Sequence, residues 1–194
     1  MKYIKEIKRK AIHLSSLWIP MLYLYTDKNL ILSLLVPLSI LAIMIDLSRK
    51  YIGPLNNFIN ELIGDLMRDD EKTSDSFSGA TYLFMSSTLT IFIFTKEVAI
   101  FSLLVLMISD SFAALIGKKI GRIKILDKSL EGSISFAISA MIIYYVLVTC
   151  YGFSLPLTLS MLAVFAGTMA ELVAKKVKLD DNFIIPLAVG VCLL

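Results

Sequence analysis

Three ionisable side chains lie within long apolar stretches of this 194-residue chain: Asp110, Glu171 and His13, the only histidine. A charged group inside the hydrocarbon layer costs about 2.5–3.5 kcal/mol on insertion scales, so such residues usually serve binding or catalysis. All three lie at a similar depth near the basic end of their segments, with Asp110 about 10 Å before Gly117 at 1.5 Å per residue. This shared depth favours one common site.

Each of the three residues also has a structural interpretation. Asp110 could fix the packing of two helices through a hydrogen bond. Glu171 could pair with Lys175, one helical turn later. His13 could pack, or extend its ring toward the membrane surface. The sequence leaves these alternatives open.

Small residues share the helical faces of the two acids. Ala114 and Gly117 follow Asp110 at helical spacing, and Gly167 precedes Glu171 by one turn. Such stripes let helices approach closely, which would bring the two carboxylates toward one cavity. Magnesium takes one or two carboxylates together with phosphate oxygens, so the pair predicts a Mg²⁺ site. The same stripes could instead serve a homodimer.

The segment 117–133 has the composition of a phosphate-binding loop on the cytoplasmic side. Its glycines permit close backbone approach, and its lysines and arginine can neutralise phosphate oxygens. Ser129 precedes an apolar helix whose first N–H groups favour an anion. The loop lacks the G-x-x-x-x-G-K-[ST] spacing of a Walker A motif.

Seven hydrophobic segments are expected to cross a bilayer core of about 30 Å as helices, because lipid offers backbone polar groups no partners. We predict an all-α, polytopic bundle of about seven spans that forms a single integral membrane domain over 1–194. The last segment has 12 residues and contains Pro186, so six spans is the alternative. The predicted segments are 11–26, 29–46, 77–95, 97–117, 133–151, 155–174 and 183–194.

The basic residues predict the orientation. Of the 19 lysines and arginines, all except Lys28 and Lys96 fall at the N-terminus or in alternate loops. By the positive-inside rule the N-terminus and these loops are cytoplasmic, in a multi-pass protein of the cell membrane. The net charge of +3 is small and indicates no nucleic-acid partner.

An interfacial amphipathic helix is predicted at about 54–68, inside the long loop 47–76. Apolar residues there recur at three- and four-residue spacing, with asparagines and acids on the other face. Its role is either packing or the gating of lipid access. The apolar face consists of Leu55, Phe58, Ile59, Leu62, Ile63, Leu66 and Met67.

Four blocks of residues give the chain a resemblance to a known family. They are Arg9-Lys-Ala-Ile-His13, Ser78-Gly-Ala-Thr-Tyr-Leu83, the stretch from Asp110 to Gly132, and Glu171 with Asp181-Asn-Phe-Ile-Ile-Pro186. The sequence resembles the CTP-dependent lipid-alcohol kinases, the group of dolichol kinase, phytol kinase and the CTP-dependent diacylglycerol kinase. Arg68 and Glu71 look like a basic–acidic pair found before the second block.

The resemblance implies transfer of the γ-phosphate of CTP to the hydroxyl of a membrane lipid alcohol. Asp110 and Glu171 would hold Mg²⁺ or polarise the alcohol, and His13 would act as the base or contact phosphate. Positioning and charge neutralisation suffice for such chemistry. The residues then expected to bind the nucleotide are Arg9, Lys10, Gly117, Lys118, Gly121, Arg122, Lys128, Ser129, Glu131, Gly132 and Asn182.

Two other functions are weighed against this one. Phosphatidate cytidylyltransferases also use CTP and Mg²⁺ in a membrane, but a Lys-Asp pair followed by Pro-Gly-His-Gly-Gly is missing here. They release pyrophosphate, whereas a kinase releases CDP. A small lipid transporter or scramblase would spread its acids across the membrane depth. The acceptor, whether polyprenol, phytol or diacylglycerol, cannot be read from the chain.

Overall fold

The computed structural model describes residues 2–64, 77–177 and 179–194. Within these ranges helices dominate, and a short antiparallel pair, β1 (Lys124–Ile125) and β2 (Lys128–Ser129), is the exception. This confirms the all-α class. The helices are α1 Lys2–Ser15, α2 Trp18–Tyr25, α3 Lys28–Tyr51, α4 Gly53–Ile63, α5 Gly79–Ile93, α6 Lys96–Ile120, α7 Leu130–Tyr151, α8 Leu157–Val173 and α9 Asp181–Val191.

Each predicted hydrophobic segment contains helix. In the part of the chain that is described, the helices Lys28–Arg49, Lys96–Ile120 and Leu130–Tyr151 are long and apolar enough to cross a membrane. The helices α5, α8 and α9 are apolar but shorter. The number of crossings and the side on which the N-terminus lies stay predictions.

The first predicted segment, 11–26, is not one helix. The helix α1 ends at Ser15 and α2 begins at Trp18, with a turn between them. Pro20 explains the break, because a proline has no N–H to donate and its ring crowds the carbonyl of the residue four positions earlier, here Ser16. The N–H of Ile19 bonds to that carbonyl instead, at 3.0 Å.

The helix α6 forms the centre of the bundle. Its residues Ile100, Phe101 and Met107 are fully buried. The stretch Val105–Ser109 winds as a π-helical turn, and regular α-helix resumes at Asp110. Such wide turns alter the directions in which side chains and carbonyls point, and they often lie at functional sites.

The helix α9 packs against α5 and α8 through glycines. A Cβ on Gly167 would lie 2.7 Å from Cγ2 of Val189, and one on Gly190 would lie 2.3 Å from the ring of Phe94. These contacts hold the last helix inside the bundle, and its first residues lie beside the charged groups described below. Whether α9 crosses the bilayer stays a prediction.

The loops predicted to face outward meet at one end of the bundle. The Lys28 ammonium donates to the carbonyl of Phe92 at 2.7 Å, and that of Lys96 to the carbonyl of Thr26 at 2.9 Å. The backbone N–H of Ser154 donates to Glu97 at 2.7 Å. Asp110, Glu171 and His13, the ionisable residues singled out in the sequence, lie toward the other end of the bundle.

The predicted amphipathic segment 54–68 is helical where it is described. The helix α4 covers Gly53–Ile63, and its placement at the membrane surface stays a prediction. The rest of the segment from position 65, together with Arg68, Glu71 and Lys178, lies outside the described residues.

Replacing Gly190 with alanine tests the glycine packing of α9. Because the added Cβ would meet the Phe94 ring, we expect Gly190→Ala to destabilise the protein by about 1–3 kcal/mol. A Cβ on Gly53 meets nothing within 4 Å, so Gly53→Ala is the matched control, with an effect within about 0.5 kcal/mol. Thermal unfolding in detergent measures both. Equal unfolding temperatures for the two variants would contradict the packing described.

Candidate functional site

The helix α1 turns two of its charged residues inward, while Lys5 and Lys8 are exposed. Glu6 and Lys10 are buried, whereas Ile4, Ile7 and Ile12 are exposed. A helix at the surface of a water-soluble protein does the reverse. This arrangement fits a helix whose outer face contacts lipid, and it brings polar side chains of α1 against α6.

The inward face of α1 contacts Asp110. The ammonium of Lys10 pairs directly with the Asp110 carboxylate, and both side chains are almost completely buried, at 2% and 1% exposure. Nε2 of His13 lies 3.9 Å from Oδ2 of Asp110 and 3.3 Å from the carbonyl oxygen of Leu106, in the π-helical turn. A buried charge is stable only with a close partner of opposite sign. The ion pair with Lys10 therefore explains how Asp110 can be buried inside the bundle.

Lys128 forms a second charged cluster with the acids of α8 and α9. Its ammonium lies 2.7 Å from Oε1 of Glu171 and 3.9 Å from Oδ2 of Asp181. Burial alone would lower the pKa of Lys128, but the negative charges of Asp110, Asp181 and Glu171 raise it above its ordinary value. The two clusters therefore share one electrostatic environment. Glu171 finds its partner in Lys128, and Lys175 one turn later is exposed.

The two acids predicted to bind metal each keep an oxygen for a further ligand. Oδ1 of Asp110 and Oε2 of Glu171 are buried without a hydrogen-bond partner. Among the described residues no three His, Cys, Asp or Glu side chains group as a metal site. Magnesium needs only one or two carboxylates when phosphate and water supply the rest, so these residues fit Mg²⁺.

Ser129 joins α6 to α7 through close glycine contacts. Its hydroxyl accepts the N–H of Gly132 at 3.1 Å and so caps α7. A Cβ on Gly117 or Gly121 would lie 2.8 or 2.6 Å from that hydroxyl. The glycines of the predicted phosphate loop therefore pack the two helices against Ser129.

Glu131 holds the loop between the helices. Its Oε1 accepts the backbone N–H of Arg122 at 2.8 Å and of Ile123 at 3.3 Å. Leu126, at the tip of the hairpin, has a backbone φ of 54°, in the left-handed region that residues other than glycine rarely adopt. The side chain of Arg122 is exposed, and it belongs to neither of the two charged clusters described above.

Two acids absent from the sequence prediction also belong to this end of the bundle. Glu6 pairs with Arg9 and Lys118, and although burial would raise the pKa of Glu6, these two cations hold it below its usual value. The other is Asp46, which ends the apolar run of α3. An isolated acid at the end of an apolar run was the available signal for Asp46.

Asp46 fixes the start of α5. Its Oδ2 accepts the N–H of Ser78 at 2.7 Å and the hydroxyl of Thr81 at 2.6 Å, and its Oδ1 binds Arg49 at 3.0 Å. The side-chain amide of Asn182 donates to the carbonyl of Gly79 at 3.3 Å. Asn182 thus links this polar turn to α9, beside Asp181.

Comparisons with known proteins identify the family. No protein-family model matches the chain, and no solved structure does. The chain is 30% identical to an uncharacterised protein of Rickettsia prowazekii, over 94% of this chain and 90% of that protein. It is 32% identical to CTP-dependent diacylglycerol kinase 1 of Saccharomyces cerevisiae, over 93% of this chain and 70% of that protein. The chain belongs to the CTP-dependent lipid kinase family.

The chain is also similar to a protein of an archaeon. An uncharacterised protein of Methanocaldococcus jannaschii is 29% identical, over 96% of this chain and 92% of that protein. Membership agrees with the resemblance to the diacylglycerol kinases, whereas the resemblance to dolichol and phytol kinases stays a prediction. The roles of the individual site residues likewise stay predictions.

Removing Lys10 tests the central ion pair. Lys10→Met leaves the Asp110 carboxylate buried without its counter-charge, so we expect a loss of about 3–5 kcal/mol in unfolding free energy. The double variant Lys10→Met/Asp110→Leu removes both charges and should regain most of that stability. Thermal unfolding in detergent compares the three proteins. A single variant as stable as the wild type would show that the pair does not form.

Proposed function

We propose that the protein transfers the γ-phosphate of CTP to the hydroxyl group of a membrane lipid. The observation that carries the proposal is that Asp110 pairs with the buried Lys10, and Glu171 with the partly buried Lys128, at one end of a membrane bundle. Family membership supports the nucleotide, because the yeast relative is named a CTP-dependent kinase. Charge neutralisation and positioning are the main demands of phosphoryl transfer, and this site concentrates charge of both signs.

Asp110 and Glu171 would hold Mg²⁺ through the oxygens that lack hydrogen-bond partners, Oδ1 and Oε2. The bound ion would neutralise charge on the phosphates. Lys10 and Lys128 balance the charge of the two acids in a buried setting. The exposed cations Arg122 and Lys118 would attract the triphosphate from solution.

His13 is proposed as the base for the lipid hydroxyl. A carbonyl oxygen can only accept a hydrogen bond, so Nε2 of His13, next to the oxygen of Leu106, carries the ring proton. The other ring nitrogen, Nδ1, is then unprotonated and can accept a proton. The hydroxyl oxygen then forms a bond to the γ-phosphorus, the bond to the β-phosphate oxygen breaks, and CDP leaves. The hydroxyl proton passes to His13.

The proposed arrangement in the membrane follows the positive-inside rule. One integral membrane domain of about seven crossings would place the N-terminus, the 117–133 loop and the site on the cytoplasmic side. A soluble nucleotide and a lipid head group can both reach such a site. The outward apolar face of α1 supports a position for this helix beside the lipid.

Diacylglycerol is the first acceptor to test, since the yeast relative is named for it. Isoprenoid alcohols such as polyprenol and phytol are the other acceptors considered. The relatives named for an activity are kinases, which favours phosphoryl transfer over cytidylyl transfer and over lipid transport or scrambling.

The proposal is tested by offering the purified protein CTP, Mg²⁺ and each lipid alcohol in turn. We expect a lipid monophosphate and CDP, both detected by mass spectrometry. Asp110→Asn should lower kcat/KM by about 10²–10³-fold, because it removes a charge that organises the reacting phosphates.

Asp27→Asn provides the matched control. Asp27 caps α3 at the opposite end of the bundle by accepting the N–H of Leu30 at 2.8 Å, and asparagine caps equally well. Its activity should equal that of the wild type. Full activity in Asp110→Asn would refute the metal assignment, and the absence of any lipid phosphate would refute the proposed function.

A further inference from the structure

Glu6 is a buried acid that the mechanism above does not use. Each of its carboxylate oxygens binds a different cation. Oε1 accepts from the guanidinium of Arg9, with Nε at 3.1 Å, and Oε2 pairs with the ammonium of Lys118. Arg9 lies on α1 and Lys118 near the end of α6, 112 positions from Glu6. Both cations are among the residues predicted to bind the nucleotide.

The pairing of Glu6 is the outermost of the polar contacts described above between α1 and α6. Deep in the bundle His13 reaches the carbonyl of Leu106, next Lys10 meets Asp110, and finally Glu6 meets Lys118. The two cations around Glu6 are more exposed than the pair of Lys10 and Asp110. Asp110 is 1% exposed, Arg9 26% and Lys118 47%. Glu6 therefore lies at the solvent end of the site, where a soluble nucleotide would arrive.

A carboxylate between two cations keeps them together without using all of their donors. Arg9 and Lys118 carry like charges on long side chains, so alone they would repel each other and move freely. A guanidinium has five N–H donors and an ammonium three, so both can bind Glu6 and still donate to phosphate oxygens. Fixing them before the nucleotide arrives lowers the entropy cost of binding it.

We propose that Glu6 is a positioning residue, which holds Arg9 and Lys118 as one cationic pair that receives the phosphates of the nucleotide. This inference rests on the proposed function, because it assumes that CTP binds at this end of the bundle. Glu6 pairs with Arg9 and Lys118 and takes no part in the proposed metal binding or proton transfer. Its loss should therefore weaken nucleotide binding and leave the chemical step nearly intact.

Glu6→Gln tests the inference by removing the charge while keeping the shape. Initial rates are measured across a range of CTP concentrations at saturating lipid. We expect the KM for CTP to rise about tenfold, from the loss of charge-assisted hydrogen bonds that order both cations. We expect kcat to stay within about twofold of the wild type.

Glu97→Gln is the matched control at the opposite end of the bundle. There the carboxylate accepts the N–H of Ser154 and stabilises a loop rather than a cation pair. Its KM for CTP should equal that of the wild type. An equal rise in both variants would mean that any loosened loop weakens CTP binding, and would overturn the inference.

The remaining outcomes are also decisive. An unchanged KM for CTP in Glu6→Gln would mean that Glu6 only holds α1 against α6. A lower KM would mean that Glu6 competes with the phosphates for the two cations. Either result overturns the inference. A wild type that does not turn over CTP refutes the proposed function instead.

If Glu6→Gln does not fold, Glu6→Asp keeps the charge on a shorter side chain, and its KM for CTP should rise severalfold. An unchanged KM there overturns the inference as well.

Discussion

The burial of charge in an apolar bundle is the constraint on which the rest of this structure depends. Asp110 lies in the most buried helix, where an unpartnered carboxylate would not stay ionised. Lys10 supplies its counter-charge from the N-terminal helix, and Lys128 does the same for Glu171 from the loop after α6. The two segments that carry these lysines are therefore tied to the core by ion pairs as well as by packing.

This constraint explains features that would otherwise look unrelated. The helix α1 buries Lys10 and Glu6 because their partners, Asp110 and Lys118, lie on α6. Close glycine contacts around Ser129 bring α6 and α7 together, which sets the position of Lys128 one residue earlier. Asp46 and Asn182 fix the turns beside Asp181. Positioning, rather than a covalent intermediate, is also what phosphoryl transfer requires of a protein.

Many of the helices and some of the candidate site residues could be predicted from the sequence, for physical reasons that differ between residues. Long apolar runs revealed the helices, and the cost of a charge within them revealed Asp110 and Glu171. The contact between Lys10 and Asp110 joins positions 100 apart, and no local pattern encodes it. For the same reason the sequence predicts a nucleotide-binding role for Lys10 and carries no signal for its pairing with Asp110 or for that of Glu6 with Lys118. Pro20 carried a signal for the break after Ser15 that hydropathy alone concealed.

The central claim is that the terminal phosphate of CTP moves to a lipid at this site. CTP labelled with radioactive phosphorus in either the γ or the α position, incubated with the purified protein, Mg²⁺ and a mixture of diacylglycerol and phosphatidate, tests it most directly. We expect the γ label in the extracted lipid and the α label in soluble CDP. Lipid that carried the α label would instead identify cytidylyl transfer and contradict the account.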